Sequence, residues 1–377
     1  MKNLVSVFAG LVMCFAMSTS AFAQQGNGGQ PDWIEQAKIV AEMDGVSVGE
    51  AVRRATLEQR LARQAERLEK MPGYAGTFIE RGRNRYVIVH YFSDDTKVDI
   101  LNDSELKSNS RIEKAKFSYG DFRKYFSSIQ EVLRQVDDRA YMAFSPQANR
   151  MILKTNDPAK LRSALEATGA IPEFVTIEKG GWFMDLNAAM SGGGAISGTS
   201  GSCTAGFNVE GSVTGVSTAS HCVPYGLQSY QGVAIGTHRG PASTSFPGRD
   251  FTWYRNDANT YNNAVLYGGS FYSVTSVASA YPAINTPACL IKQNGTQACA
   301  YVFEASIPQG GSYPAVIMDR KVSVAGDSGG AWLYGSIAYG TNQGNVCDDQ
   351  AMTLNCKSVY SPAANMPAVL GVRVRTQ

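Results

Sequence analysis

Histidine is scarce in this chain of 377 residues, with only three, His90, His221 and His238. Any chemistry that needs an imidazole must draw on one of them. An excess of either charge is also missing: 34 basic and 32 acidic side chains leave a net charge of +2. That field is too weak to make nucleic acid or an anionic membrane surface the default partner. After the first two dozen positions no run of about twenty apolar residues occurs, which excludes a helical membrane span in the mature chain. Cysteine is absent between Cys14 and Cys203.

What is present divides unevenly. Of the 66 charged side chains, 49 precede residue 191 and 17 follow it, whereas 25 of the 38 glycines and six of the seven cysteines lie in the later part. The length suggests two or three domains, and the composition places a boundary near residue 190.

Residues 1–23 read as a secretory signal peptide. Lys2 supplies the positive start, Leu4 to Met17 is an apolar stretch too short to span, and Ala21-Phe22-Ala23 has the small-x-small form of a cleavage site. Cys14 leaves with it. Six cysteines then remain in an oxidising compartment, an even number that reads as disulfides and not as metal ligands. The mature protein is expected to be secreted, extracellular or periplasmic.

Residues 24–190 read as an α+β region. Asp32 to Asp44 and Ser47 to Lys70 have helical spacing, with interleaved acidic and basic residues that predict a solvated face in preference to a nucleic-acid arm. Strands are predicted at Tyr86 to Tyr91, Met151 to Thr155 and Ile171 to Ile177, and a helix from Asp157-Pro158 through Leu165. This half shows no catalytic constellation, and His90 in mid-strand reads as structural. From residue 191 to 377 short β-branched and aromatic runs alternate with Gly, Asn, Ser and Pro, the pattern of an all-β barrel or sandwich. Ser191 to Ser202, rich in Gly and Ser, reads as a linker or processing site.

Three short segments carry chemistry. In Gly326-Asp327-Ser328-Gly329-Gly330 the glycines permit backbone angles that let the Ser328 hydroxyl project while the Gly326 and Ser328 amides converge as an oxyanion hole. A serine nucleophile needs a base. His221 follows a strand-like Val213 to Thr218 and adjoins Cys222, which a pairing with Cys203 could pin; His238 lies in a turn-like Gly236 to Gly240. His221 is therefore the favoured base. To hold its tautomer a carboxylate is required, and only Asp250, Asp257, Glu304, Asp319 and Asp327 lie between it and Ser328. Asp250 precedes the apolar Phe251 to Tyr254 and is preferred to Asp257, although a turn-capping role would fit it equally well. The pattern Gly326-x-Ser328-x-Gly330 also fits the elbow of α/β-hydrolases, but those place histidine after serine, and none follows here.

These blocks, Thr218-Ala219-Ser220-His221-Cys222, Phe246-Pro247-Gly248-Arg249-Asp250 and Gly326 to Gly330, resemble those of bacterial chymotrypsin-like serine peptidases of the α-lytic protease and streptogrisin group. The resemblance covers nearly all of residues 191–377, with Cys203-Thr204-Ala205-Gly206-Phe207 and the Cys289 to Cys299 hairpin matching cysteine positions of that group. Tyr74 to Glu80 also resembles a segment of the α-lytic pro-region. The resemblance implies an all-β double β-barrel preceded by an α+β pro-region (24–190) that acts as folding catalyst and then inhibitor, with autocatalytic cleavage near residue 190. It implies a triad of His221, Asp250 and Ser328, no cofactor or metal, a monomer, and protein or peptide substrates.

The departures concern specificity. Where the group carries a cysteine six residues before the nucleophile this chain has Val322, so Cys347 and Cys356 are expected to form a local loop. A substrate pocket is expected at Val322, Ser323, Ala338, Tyr339 and Gly340. With no aspartate at 322 and no histidine nearby, a small to medium apolar residue is expected before the cut, and not Lys, Arg or Glu. A catalytically silent binding module and a serine esterase on another fold are the competing readings.

Overall fold

Residue patterning of two kinds produces two kinds of layer. The computed structural model describes residues 33–95, 101–137, 140–180, 183–185, 195–230, 233–241, 248–255, 263–267, 270–308, 313–348 and 354–376. The signal-peptide expectation for residues 1–23 and the first residues of the expected linker, 191–194, lie outside them.

In the charged half, caps start the helices where the sequence places them. Helix α1 spans Ile34–Asp44. Helix α2, Val48–Glu69, begins where the Ser47 hydroxyl accepts the Glu50 amide at 3.2 Å, satisfying one of the amides that a first turn leaves open. A short α3, Ser104–Ser108, precedes α4, Tyr119–Val136, which opens on a reciprocal Ser118–Asp121 capping box. Asp157 caps α5, Pro158–Thr168, through the Lys160 amide. Strands Tyr74–Gly82, Arg85–Phe92 and Ser110–Lys114 form one small sheet, and Tyr141–Ser145, Arg150–Thr155 and Val175–Lys179 form another run. The strand expected from Ile171 starts only at Val175. Pro172 has no amide to give a ladder, and Phe174 turns into the core against Phe117 and Phe122, with ring centres 4.9 and 5.0 Å away.

After residue 194 the chain is almost entirely strand. Thr237–Arg239, Thr252–Arg255, Thr214–Thr218, Asn208–Glu210 and Arg373–Val374 form one sheet in that order, beside a sheet of Val233–Ala234, Leu227–Tyr230, Ala195–Gly198 and Ser202–Thr204. Together these make the first barrel region. The stretch 195–204 is thus not a linker: buried Ile196 pairs with Cys203 and Tyr230 and anchors it. Six further strands close a second barrel in the order Pro287–Ile291, Ala331–Tyr334, Ile337–Cys347, Lys357–Pro362, Ala315–Met318 and Gln297–Pro308, whose last member pairs back to the first.

The halves share structure. Strand Gln297–Pro308 runs on into the N-terminal hairpin, pairing Ile307 with Met142 and Pro308 with Tyr141. Ala37, Val40 and Ala41 of α1 belong to the same apolar core as Leu333 and Tyr334 of the second barrel. The Gly335 amide donates to Gln36 Oε1 at 2.9 Å, and across the seam the Ile79 amide donates to the Ile284 carbonyl while the Ile284 amide donates to the Thr77 carbonyl.

Candidate active site

Strand Thr214–Thr218 ends in a 3-10 turn, Ser220–Tyr225, that carries His221. The Cys203–Cys222 disulfide ties this turn to strand Ser202–Thr204. Cys203, His221 and Cys222 lie close together, but both sulfurs belong to that bond. Asp250 lies just ahead of strand Thr252–Arg255, which pairs with Thr214–Thr218, so one ladder delivers both side chains. His221 Nδ1 lies 2.6 Å from Asp250 Oδ2. Asp250 Oδ1 accepts the Ser220 hydroxyl at 2.6 Å and the His221 amide at 3.0 Å, while the Asp250 amide donates to Ser361 Oγ at 3.0 Å. Every oxygen of this carboxylate is therefore engaged, and Asp250 is 0% exposed.

The nucleophile candidate is brought to the same place. The Thr204 amide donates to the Ser328 carbonyl at 2.7 Å, and Thr204 adjoins the disulfide that holds the histidine turn. Gly329, at φ 87°, is needed here: a Cβ would overlap Thr218 and the Thr204 carbonyl. Gly326 takes φ 93°. Among the described residues the Gly326 and Ser328 amides donate to no group, although the Asp327, Gly329 and Gly330 amides of the same loop are bonded. Ser328 is only 4% exposed.

Electrostatics shift the imidazole toward its charged form. Burial opposes the charge on His221, but the field of the Asp250 carboxylate and its hydrogen bond outweigh burial and raise the ring's pKa above the ordinary histidine value. Its Nε2 is buried and has no hydrogen-bond partner among the described residues, so no bond to Ser328 is drawn in this state. Such contacts often tighten only when substrate arrives.

Asp327, next to the candidate nucleophile, is buried. It accepts the Gln293 amide at 3.0 Å and the Val324 amide at 2.9 Å, with Lys292 Nζ at 3.9 Å. It braces the serine loop against the hairpin of the second barrel. Burial raises its carboxyl above the usual range. His238 is on strand Thr237–Arg239, not in a turn, with Nε2 2.7 Å from Thr252 Oγ1. His90 is buried against Thr77 in the N-terminal sheet. Asp257 lies outside the described residues.

The pocket expectation needs correction. Ala338, Tyr339 and Gly340 lie in the barrel wall: Ala338 pairs with Leu333 and Val277, Gly340 with Trp332 and Pro362, and Tyr339 lines a small cavity with Leu61 and Ala62 of α2. Strand Ile337–Cys347 extends beyond them through a bulge between Asn342 and Gly344. The Asn342 carbonyl holds the Gly329 amide at 2.8 Å, and Asn345, Val346 and Cys347 pair antiparallel with Asp185, Met184 and Phe183. This edge, not residues 338–340, takes an extended chain beside the serine loop. Val322 and Ser323 do lie next to it, both amides donating to Ser358 Oγ. Sequence reasoning missed Ser220, Ser361 and Asn345; a hydroxyl next to the histidine was the one available hint. The Cys289–Cys299 and Cys347–Cys356 pairings are present as expected.

A serine loop and a carboxylate-held histidine carried on a strand-built, barrel-type fold define the chymotrypsin-like class. Comparison with known proteins agrees. Glutamyl endopeptidase 2 of Streptomyces griseus is 30% identical over 194 residues, covering 48% of this chain and 98% of that protein. Streptogrisin-C of the same organism is 29% identical over 206 residues, 52% of this chain and 44% of that protein; this chain thus spans less than half of its length. Serine protease 1 of Rarobacter faecitabidus is 24% identical over 339 residues, 86% of this chain and 61% of that protein. No family model matches the chain. The chain belongs to the bacterial chymotrypsin-like serine protease family that includes the streptogrisins.

Proposed function

We propose that this protein is a secreted serine endopeptidase made as a self-processing zymogen. The observation that carries the reading is a carboxylate-held His221 beside the Ser328 loop, with His221 Nε2 and the Gly326 and Ser328 amides bonded to nothing among the described residues. In the proposed reaction Ser328 Oγ attacks the scissile carbonyl while His221 Nε2 takes its proton. Asp250 keeps the other ring nitrogen protonated and stabilises the imidazolium. The Gly326 and Ser328 amides receive the developing oxyanion. His221 then returns the proton to the leaving amine, and water activated by the same ring releases the acyl group as acid and regenerates Ser328. The proposed reaction uses no metal or organic cofactor.

Residues 24–190 are proposed as the pro-region, an intramolecular folding catalyst and inhibitor of the 191–377 domain. Two contacts support this. The strand at Phe183–Asp185 takes the edge that substrate would need, and the hairpin at Tyr141–Thr155 extends the barrel sheet. A surface of non-local strand pairs closes slowly, and a template that presents a ready strand lowers that cost. Secretion rests on residues 1–23 and on the disulfides; among the described residues no helix is long and apolar enough to cross a membrane. A monomer acting on proteins or peptides, cutting after small to medium apolar residues, completes the proposal.

Intact mass of wild type and Ser328→Ala, each expressed with its leader and with or without a fluorophosphonate probe, tests it. Wild type should split near residue 190 and gain one probe, and the variant should do neither. A folded wild type that stays whole and unlabelled would put the silent binding module in its place.

A further inference from the structure

A buried carboxylate needs donors in place of the water it has lost. Asp250 and Ser220 are both 0% exposed. Among the described residues three groups reach this carboxylate: Oδ2 faces His221 Nδ1 at 2.6 Å, and Oδ1 accepts the His221 amide at 3.0 Å and the Ser220 hydroxyl at 2.6 Å. Ser361, from strand Lys357–Pro362, accepts the Asp250 amide and so fixes backbone, not carboxylate. Ser220 and His221 are consecutive residues of the 3-10 turn that the Cys203–Cys222 disulfide ties down. Asp250 is therefore held by the same turn whose imidazole it orients.

We infer that Ser220 is a positioning residue of the proposed catalytic pair: its hydroxyl fixes the Asp250 carboxylate on the imidazole and shares the carboxylate's charge with the ring. The inference rests on the peptidase reading. Position follows from geometry. With Oδ1 held at two points and Oδ2 on Nδ1, the carboxylate cannot turn about its Cβ–Cγ bond without breaking charge-assisted hydrogen bonds. Without the hydroxyl, the His221 amide is the one hold left on Oδ1 among the described residues. Charge follows from competition. A proton donated to Oδ1 stabilises the carboxylate whatever the state of the ring, so less remains for an imidazolium to gain. Losing that donor makes the protonated ring the better remaining partner, and His221 then releases its proton at a higher pH. Of the other titratable groups around the ring, Cys203 and Cys222 are locked in their disulfide, and Asp327 on the serine loop is engaged with the Gln293 and Val324 amides and with Lys292.

The test uses the full chain expressed with its own leader, as wild type, Ser220→Ala, Ser220→Gly and Ser220→Thr. Fluorophosphonate labelling to completion counts working nucleophiles, and kcat/KM per labelled molecule is then followed from about pH 5 to about pH 10 on one peptide. Both variants without the hydroxyl should lose about tenfold at neutral pH, with the midpoint of the profile raised by about half a unit or more and part of the loss recovered on the alkaline side. Ser220→Thr, which keeps a hydroxyl, should return the midpoint to that of wild type. The alanine and glycine variants decide the matter if the threonine variant does not accumulate. A merely structural hydroxyl would lower the labelled yield and leave the midpoint of the labelled molecules where wild type has it. That result, or a labelled threonine variant with the midpoint of the alanine variant, would overturn the inference and leave the peptidase reading intact. A wild type that neither labels nor cleaves removes the peptidase reading and this inference together.

Discussion

The two halves bury polarity in different ways. In the N-terminal half full charges go inside. Arg54 and Arg81 both bind Asp44, Arg81 also binds Glu58, and all four side chains are at most 5% exposed. This network reaches the second barrel, since the Tyr301 hydroxyl donates to Asp44 and the Arg81 guanidinium lies 5.1 Å from the Tyr301 ring centre. In the barrels buried polarity is mostly neutral, as in the Ser323–Asn345–Ser358 cluster, and three disulfides add cross-links. Buried charge there gathers around Ser328, at His221, Asp250 and Asp327, with Glu304 near the seam. Charge networks respond to pH and fail as units when one member is lost. Neutral hydrogen bonds and disulfides do neither. A durable enzyme and a disposable partner would be built along this division.

The largest expected effect removes the barrel charge proposed to serve chemistry. Asp250→Asn should keep the ladder of strands Thr214–Thr218 and Thr252–Arg255 but lose the hold on His221 Nδ1, lowering kcat by about 10⁴. The pH–rate profile is the second readout. Wild-type kcat/KM should rise with pH through a midpoint above the ordinary histidine value, because the raised His221 must lose its proton to act as base. The variant's midpoint should fall. An unchanged midpoint would separate Asp250 from the imidazole.

Next is the charge network itself. Arg81→Met in the uncleaved Ser328→Ala background leaves Glu58 and Asp44 buried with fewer cations, a loss of about 3–5 kcal/mol. Urea unfolding measures the loss, and hydrogen exchange places it. Amides of strands Tyr74–Gly82 and Arg85–Phe92 should exchange faster while those of Ala331–Tyr334 hold. Equal acceleration in both would erase the proposed division between the halves.

Part of this contrast was legible in the sequence. Charge density and cysteine placement separated the halves, and helical spacing placed starts at Ser47 and at Asp157-Pro158, where the structure has side-chain caps. His221, Asp250 and Ser328 stood out because scarce residue types sat in glycine- and cysteine-marked segments; the structure brings His221 to Asp250 and seats the Ser328 loop beside their turn. The edge of strand Ile337–Cys347 beside the serine loop was not legible. Asn342, Gln343 and Asn345 are buried in a strand, which contradicts the apolar pattern by which buried strands are read. The bulge shifts the register as well, so residues 338–340 were placed at an edge they do not reach. Pairing of Ile307 with Met142 joins positions far apart in sequence, and periodicity carries no information about such partners.

The smallest effect expected lies at the seam, where a titratable group of the N-terminal half faces the barrels. Burial raises the Glu69 carboxyl to about 7, and the Ser279 hydroxyl donates to it. A carboxyl whose folded value lies above its unfolded one stabilises most at low pH, and that contribution is lost as pH climbs through about 7. The seam at Glu69 should therefore weaken between pH 5 and pH 8, by about 2 kcal/mol once its partial contact with solvent is allowed for. His90 works in the other direction. Burial lowers it to about 4, so its contribution is present above the ordinary histidine value and lost as pH falls. Comparing Glu69→Gln with its parent, both in the Ser328→Ala background, cancels the His90 effect because both chains carry it. Hydrogen exchange near Ser279 should slow less from pH 8 to pH 5 in Glu69→Gln than in the parent, since a neutral amide has no proton to gain. Parallel pH slopes would show that Glu69 does not report the seam. In that case the pH sensitivity of the N-terminal half would have to come from His90 and from Glu58, whose burial raises its carboxyl to about 7.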